Sequence, residues 1–415
     1  MSHLSISIGL VIAVALMVVA TPSIPAQTFN VIHNFTGGLD GAAPRVGLTT
    51  DRAGNLYGTT PTGGGASGYG AVYELARKGT GWVFTPLYDF QGGSDGAYPY
   101  ARVVFGPDGS LYGTTAFGGN GSLGTVFRLR PQGTTCRTTP CGWNETVLFA
   151  FDGSNGNQPV GDLVMDGAGN LYGATSYAGY GIGGTVYELS PGSGGWTLAI
   201  LHTFSSDDGY QPVGGVSFDN AGNLYGTTKF GPGNGCGGEG CGTIFQLAPS
   251  QSGWTENILY EFQNGGYGAN PVGGVILDSA GNLYGTTPFG QGQDGTNPVV
   301  FELTPSGSGW TFNACHVFTG NSGPYSSLSM DSAGNLYGTT NGYGAYGYGS
   351  VFKLTPGSGG WVYTNLHDFS GGSDGGYPYS NVTLDGSGNL YGTASVGGTS
   401  GCGGVGCGVV WQITP

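Results

Sequence analysis

The residues best suited to acid–base or metal chemistry do not converge in this sequence. Four of the five histidines share one place, two residues before a phenylalanine in a recurring segment: His33, His202, His316 and His367. Aromatic residues take that place in other copies: Tyr88, Phe149 and Tyr260. The copies are far apart in the chain, so we expect these histidines to fill an aromatic slot on separate units rather than to form one site. With no triad, two-histidine metal motif or phosphate loop, no catalytic residue is assigned.

Acidic residues recur in the pattern Asp-Gly-x-x-Pro, at Asp40, Asp95, Asp208 and Asp374. An Asp-Gly pair shapes a tight turn, which is one interpretation of the pattern. A ring of carboxylates for Ca²⁺ or for hydroxylated ligands is the other. Both interpretations stay open at this stage, and Ca²⁺ is the one cofactor that the sequence suggests.

Glycine-rich loops carry aromatic residues at related positions, among them Phe117, Tyr177 and Phe230. If these loops and the Asp-Gly-x-x-Pro loops share one face of the fold, that face presents aromatic, threonine and carboxylate groups. The two loop sets together are then candidates for binding a glycan or a protein.

The elements that position these loops follow from a repeat. Leu-Tyr-Gly-Thr-Thr or a close variant occurs seven times, 53 to 60 residues apart, with its tyrosine at Tyr57, Tyr112, Tyr172, Tyr225, Tyr284, Tyr337 and Tyr391. Each copy has several short strand patterns separated by turn residues, and helical periodicity is absent. This length and content predict an all-β, seven-bladed β-propeller of four-stranded antiparallel blades.

Each copy contains a hairpin whose turn reads Asp-x-x-Gly-Asn, as at Asp219 to Asn223. Six aspartates hold this place, and we interpret them as a turn device rather than as catalytic carboxylates. Residues 28–35 match a fourth strand with no first three before them, whereas the last copy stops after its third strand. The N-terminal strand is therefore predicted to complete the last blade and close the ring.

The Asp-x-x-Gly-Asn-Leu-Tyr-Gly-Thr-Thr units and their Gly-Thr-Val-Phe-x-Leu-Thr-Pro partners resemble GloVer-type tandem repeats of exported bacterial proteins over nearly all of residues 28–415. The resemblance implies an exported, often surface-associated protein, and it implies no defined activity. The hairpin is also similar to that of NHL-type propellers, which implies that the strand after each proline is the innermost one.

Two residues depart from the repeat at the third position after that proline: Arg102 and Asp162. The other copies have Gly47, Gly215, Gly274, Ser327 and Asn381 there. An innermost strand places this position near the mouth of a central channel, where Arg102, Asp162 and Asn381 are candidates for ligand binding. A simple surface ion pair between Arg102 and Asp162 is the alternative.

The ends and the cysteines indicate export. Residues 1–26 read as an apolar signal peptide, or alternatively as an uncleaved anchor, and residues 27–415 as a single propeller domain. Three cysteine pairs share one spacing and predict local disulfides, with zinc as the rival interpretation: Cys136–Cys141, Cys236–Cys241 and Cys402–Cys407. Cys315 is left over and is expected to be buried.

Composition excludes one class of partner. The 24 acidic and 10 basic residues give a net charge of −14, which opposes nucleic acid. No later segment is apolar enough to span a membrane. The sequence therefore predicts a secreted or cell-surface, monomeric binding module for a glycan or protein ligand. A metal-dependent hydrolase or lyase with a site at the channel mouth and a structural surface-layer component are the alternatives.

Overall fold

The computed structural model describes residues 27–132, 142–178, 181, 183–263, 267–289, 297–307, 309–319, 322–399 and 401–415. The predicted signal peptide and the predicted Cys136–Cys141 disulfide lie outside these ranges. Within them, no helix has the length and apolar character needed to cross a membrane.

Seven four-stranded antiparallel sheets form the seven blades of a β-propeller, as predicted. The chain begins with β1 (Thr28–Asn34). Blade 1 contains β2 (Thr49–Thr50), β3 (Leu56–Thr60), β4 (Ala71–Lys78) and β5 (Gly81–Asp89); blade 2 contains β6 (Val104–Phe105), β7 (Leu111–Thr115), β8 (Thr125–Pro131) and β9 (Trp143–Ala150). Blade 3 contains β10 (Val164–Met165), β11 (Leu171–Thr175), β12 (Thr185–Gly192) and β13 (Gly195–Thr203); blade 4 contains β14 (Val216–Phe218), β15 (Leu224–Thr228), β16 (Thr243–Ser250) and β17 (Gly253–Glu261).

The last three blades follow the same order. Blade 5 contains β18 (Ile276–Leu277), β19 (Leu283–Thr287), β20 (Val299–Ser306) and β21 (Gly309–Val317); blade 6 contains β22 (Ser329–Met330), β23 (Leu336–Thr340), β24 (Ser350–Gly357) and β25 (Gly360–Asp368). Blade 7 contains β26 (Thr383–Leu384), β27 (Leu390–Ala394) and β28 (Val409–Thr414). Two single-turn 3-10 helices, Cys236–Gly238 and Cys402–Gly404, lie in loops.

Strand β1 completes blade 7, so the predicted closure is confirmed. It pairs antiparallel with β28, from Thr28 opposite Thr414 to Asn34 opposite Val409. The ring of Phe29 lies 5.8 Å from that of Phe369 in an edge-to-face contact, which joins the N-terminal strand to blade 6 as well.

The innermost strands are shorter than the sequence predicts. The residues after Pro212 predict a strand from Val213 to Phe218, but β14 begins at Val216, and in the other blades the first strand has two residues. The residues after each proline instead lie against the channel and against neighbouring blades. Fourth strands end one residue before the predicted phenylalanine, which is buried just beyond the strand, as at Phe262.

The repeated aspartate forms the hairpin turn, as predicted. In blade 4, Asp219 Oδ1 accepts the amides of Ala221 and Asn223 at 2.8 and 2.9 Å, and its Oδ2 accepts the Asn223 amide side chain and the Tyr225 hydroxyl at 2.7 and 3.0 Å. Burial by itself would raise the pKa of Asp219, but these hydrogen bonds outweigh it and hold the pKa below its usual range. The carboxylate is therefore occupied by the fold.

Blades hold each other through the second strand, every residue of which is buried. A Cβ placed on Gly226 would lie 2.6 Å from the ring of Phe245, so only glycine admits this aromatic residue. Thr227 donates its hydroxyl hydrogen to the Gly273 carbonyl of the next blade at 2.9 Å. The matching bond from Thr393 to Val46, at 3.0 Å, spans the closure between blades 7 and 1.

Deleting residues 28–35 should destabilise or oligomerise the protein. The deletion removes the outer strand of blade 7 and exposes the edge of β28, which is free to pair with another chain. Thermal unfolding and size-exclusion chromatography test this against a control chain that begins at Gln27. A monomeric deletion variant with an unchanged melting temperature would contradict the role given to β1.

Candidate functional site

One end of the disc carries all the connections from second to third strands and from each fourth strand to the next blade. We call these the 2–3 loops and the 4–1 loops, and we call this end the loop face. Short β-bridges join the two loop types within a blade, and they use the predicted aromatic residues: Ala97 with Phe117, Asn157 with Tyr177 and Tyr210 with Phe230. At the opposite end, the described connections are mostly tight hairpin turns.

The loop face is stitched between blades as well as within them. In six 4–1 loops, the residue before the proline has a positive φ without being glycine: Ala43, Tyr98, Gln158, Gln211, Asn270 and Tyr377. Each donates its amide to a 2–3 loop of the preceding blade, as Tyr98 does to the Tyr69 carbonyl at 2.8 Å. Such a backbone costs about 1 kcal/mol or more per residue and persists only where the surroundings fix it. The loops are therefore held in one shape.

Exposed aromatic rings are confined to this face. Among the described residues, the large apolar side chains that are more than a third exposed include four aromatic residues, and all four lie in its loops: Phe117, Tyr267, Tyr346 and Tyr348. Exposed apolar residues of the outer strands are aliphatic, as at Ile200 and Val362. Phe230 stacks on Tyr210 with ring centroids 5.0 Å apart and lies under the Lys229 ammonium at 4.7 Å. Tyr177 is half-buried beside its bridge.

The four predicted loop aspartates lie on different blades and each binds its own loop. Asp95 Oδ2 accepts the Gln91 amide at 2.8 Å and the Tyr88 hydroxyl at 3.0 Å. Asp40 and Asp374 accept the amides of Thr36 and Ser370 in the same way, both at 2.9 Å. Asp208 accepts the Ser205 amide at 2.7 Å. These contacts favour the turn-shaping alternative.

Three of these loop aspartates each lie beside one of the repeated histidines. His202 Nε2 lies 2.8 Å from Asp208 and His367 Nε2 lies 3.2 Å from Asp374, whereas His33 is 3.4 Å from Asp40. Burial lowers the pKa of His33 and of His367, and the neighbouring carboxylates offset this only in part. Within the described part of the chain, no three His, Cys, Asp or Glu side chains come together in a group able to hold a metal ion.

One titratable group beside these pairs was missed by the sequence reasoning. Glu256 in β17 has a buried Oε1 atom without a hydrogen-bond partner. Burial, and then the Asp208 carboxylate, raise its pKa to about 7. The sequence signal was present: the residue opposite the matching leucine of the third strand is aromatic in three blades, at Phe84, Phe312 and Tyr363.

The residues that follow the prolines before the first strands line a cavity of about 180 Å³ on the channel axis at the loop face. Residues from all seven blades line it. The first residue after each proline is Arg45, Tyr100, Val160, Val213, Val272, Tyr325 or Tyr379. Three tyrosines and an arginine thus occupy one side of the mouth, and three valines occupy the other.

The three candidate residues Arg102, Asp162 and Asn381 do not form one cluster. Arg102 and Asp162 form an ion pair, with Nε 3.1 Å from Oδ2, and Asp162 Oδ1 also accepts the Arg102 amide at 2.8 Å. Asp162 and Asn381 both line the cavity. The ion-pair alternative therefore describes Arg102 and Asp162, and Asn381 stands apart from them.

Two of the predicted disulfides are present, both in 2–3 loops. Cys236–Cys241 and Cys402–Cys407 have Cα–Cα distances of 5.2 and 5.3 Å. Cys315 is buried as a free thiol. The two bridges further restrict the loop face and fit an oxidising compartment.

The family is decided by a repeat model. The Gloeobacter/Verrucomicrobia repeat matches three overlapping ranges: residues 21–238, 132–297 and 236–415. The chain belongs to this repeat family. The resemblance of its Leu-Tyr-Gly-Thr-Thr units to such repeats is thereby confirmed, whereas a search of curated proteins finds no match.

Solved structures share the fold at low identity. The extracellular domain of a protein assigned as a one-component system of B. thetaiotaomicron is 11% identical, with a TM-score of 0.54, over 92% of this chain and 39% of that one. A protein from Lactobacillus plantarum is 14% identical, with a TM-score of 0.50, over 79% and 85% of the two chains. A gluconolactonase of Xanthomonas campestris is 14% identical over 75% and 92%, with a TM-score of 0.41. These likenesses describe the propeller alone.

Replacing Glu256 by Gln should stabilise the protein at pH 8 and change little at pH 4.5. The folded-state pKa of about 7 lies above the ordinary 4.5, so this group's favourable contribution is present below pH 4.5 and is lost as the pH rises through 7. We expect a gain of about 1 kcal/mol at pH 8, because the side chain is only partly buried. Urea unfolding at both pH values measures it, with exposed Glu261→Gln as the control. Equal effects at both pH values would contradict this assignment.

Asp95→Asn should leave stability nearly unchanged, because the amide oxygen can still accept the bonds from Gln91 and Tyr88. Asp95→Ala removes the acceptor and should cost about 1 kcal/mol. Melting curves with and without Ca²⁺ separate this from a cation site. A rise in melting temperature with Ca²⁺ that is lost in Asp95→Asn would instead favour the carboxylate-ring alternative.

Proposed function

We propose that the protein is an exported carbohydrate-binding module that uses its loop face to hold a glycan. The observation that carries this proposal is the confinement of exposed aromatic rings to that face, on loops tied to each other within and between blades. The apolar faces of sugar rings pack on aromatic side chains, and hydroxyl groups and backbone amides around the rings can satisfy the sugar hydroxyls. A loop face fixed before binding loses little conformational entropy when the ligand arrives.

Charge supports a mainly neutral recognition surface. Only 8% of residues are charged, and the loop aspartates are occupied by their own loops. A protein partner is the alternative, but the exposed rings lie in loops of different blades, which suits separate sugar rings better than the apolar centre of a protein interface. Export is supported by the two disulfides, by the apolar residues 1–26 and by the resemblance of the repeats to those of exported bacterial proteins.

The face is tested by removing its aromatic rings. Phe117→Ala combined with Phe230→Ala should weaken binding to the polysaccharide that the native protein retains in affinity electrophoresis, by about tenfold or more, since stacking of each ring contributes about 1 kcal/mol. Val362→Ala removes an exposed apolar group from an outer strand and is the matched control. The panel should span neutral and acidic plant, algal and bacterial polysaccharides. Loss of binding in the control, or full retention in the double variant, would contradict the assignment to the loop face.

A further inference from the structure

The cavity at the channel mouth has features that the aromatic loops do not explain. Arg45 is exposed and forms no ion pair with any described residue, and its guanidinium carbon lies 5.0 Å from the centroid of the Tyr379 ring. Tyr379 is in edge-to-face contact with Tyr325 at 5.6 Å, and Tyr325 with Phe289 at 5.4 Å. This chain of rings leads from the loop face into the cavity, and its last ring lies beside the guanidinium of Arg45.

The second observation is Asn381. Its side chain is 9% exposed, lines the cavity and makes no hydrogen bond with another described residue. Its placement is built into the blade contact, since a Cβ on Gly47 would lie 1.8 Å from its Oδ1. The amide is thus available to bond a ligand in the cavity. Glycine in blade 1 thus makes room for a polar group that points into the cavity.

The cavity therefore offers one cationic donor, the guanidinium, together with several groups that both donate and accept hydrogen bonds. The hydroxyl groups of Tyr100, Tyr325 and Tyr379 have no hydrogen-bond partner among the described residues, and they accompany the Arg45 guanidinium and the Asn381 amide. Asp162 is the acidic residue in the lining, and the Arg102 ion pair neutralises it. Valines form the opposite wall. An anionic, hydroxylated guest with one apolar side fits this lining.

We propose that the channel-mouth cavity binds the carboxylate-bearing sugar of an acidic glycan, with Arg45 contacting the carboxylate. This inference rests on the proposed function and adds the class of sugar. A planar guanidinium matches a carboxylate with two parallel hydrogen bonds. A cavity of about 180 Å³ is smaller than most drug-sized pockets and suits a single sugar unit. The protein's net charge of −14 disfavours every polyanion, so a preference for the acid has to come from the local contact with Arg45.

The test uses ligands that differ only in the carboxylate. Binding of polygalacturonate and of its fully methyl-esterified form, and of galacturonate and galactose, is measured by calorimetry and by NMR titration. The native protein should bind each acid about tenfold more tightly than its neutral partner, and raising the salt concentration should reduce that preference.

Arg45→Gln should reduce the acid-to-neutral affinity ratio to about one, and Arg45→Lys should retain part of the preference. Arg77→Gln is the matched control, because Arg77 also covers an aromatic ring, that of Trp82, at the end of the disc opposite the loop face. Asn381→Ala should weaken binding of both galacturonate and galactose. Each of these results supports the cavity as the site.

Two outcomes overturn the inference and are distinguishable from failure of the proposed function. If neutral glycans bind and Phe117→Ala with Phe230→Ala weakens them, but the acid is not preferred, the loop face stands and the carboxylate site is wrong. If sulfated or phosphorylated sugars bind more tightly than carboxylates, the assigned class is wrong. If no glycan binds at all, the proposed function fails and this inference fails with it.

Discussion

Each blade depends on its neighbours to cover both faces of its sheet. The second strand is buried at every residue, and a single four-stranded sheet has nothing of its own to cover it. Buried aromatic residues such as Phe245 lie over the glycine of the second strand, and threonine hydroxyls bind the innermost segment of the next blade. Stability therefore belongs to the ring, and a ring with one open junction loses packing on both sides of it. This explains why the first strand in the chain is placed in the last blade.

The same dependence shapes the loop face. Because the blades are fixed relative to one another, a 4–1 loop can bond to the 2–3 loops on both sides, and the positive φ of residues such as Tyr98 is maintained by those bonds. The disulfides add a covalent restraint to two of the 2–3 loops. The loops can thus vary in sequence without losing their shape. A rigid scaffold with variable loops is the usual arrangement for binding.

What the sequence predicted well is local or repeated. The period predicts the blades, Asp-x-x-Gly-Asn predicts the turns, and the complementary ends predict the closure. Contacts between blades could not be predicted from the sequence. The pKa of Glu256 is raised first by burial and then by Asp208, which lies in the loop that follows blade 3. The first strands are short because the segments after the prolines line the central cavity. The pairing of His202 and His367 with aspartates could be read from the sequence, because the loop after each of these histidines contains an aspartate, whereas the loop after His316 does not.

The channel mouth shows why symmetry matters to recognition. Seven equivalent positions meet on one axis, and a ligand without sevenfold symmetry can be oriented only where those positions differ. Here the polar and apolar residues are grouped. Four consecutive blades around the closure contribute Tyr325, Tyr379, Arg45 and Tyr100, and the other three blades contribute valines. A sugar ring has the same division between polar and apolar sides. Because successive positions of this kind are 53 to 60 residues apart in the chain, no short sequence window contains the site, and only the closed ring brings it together.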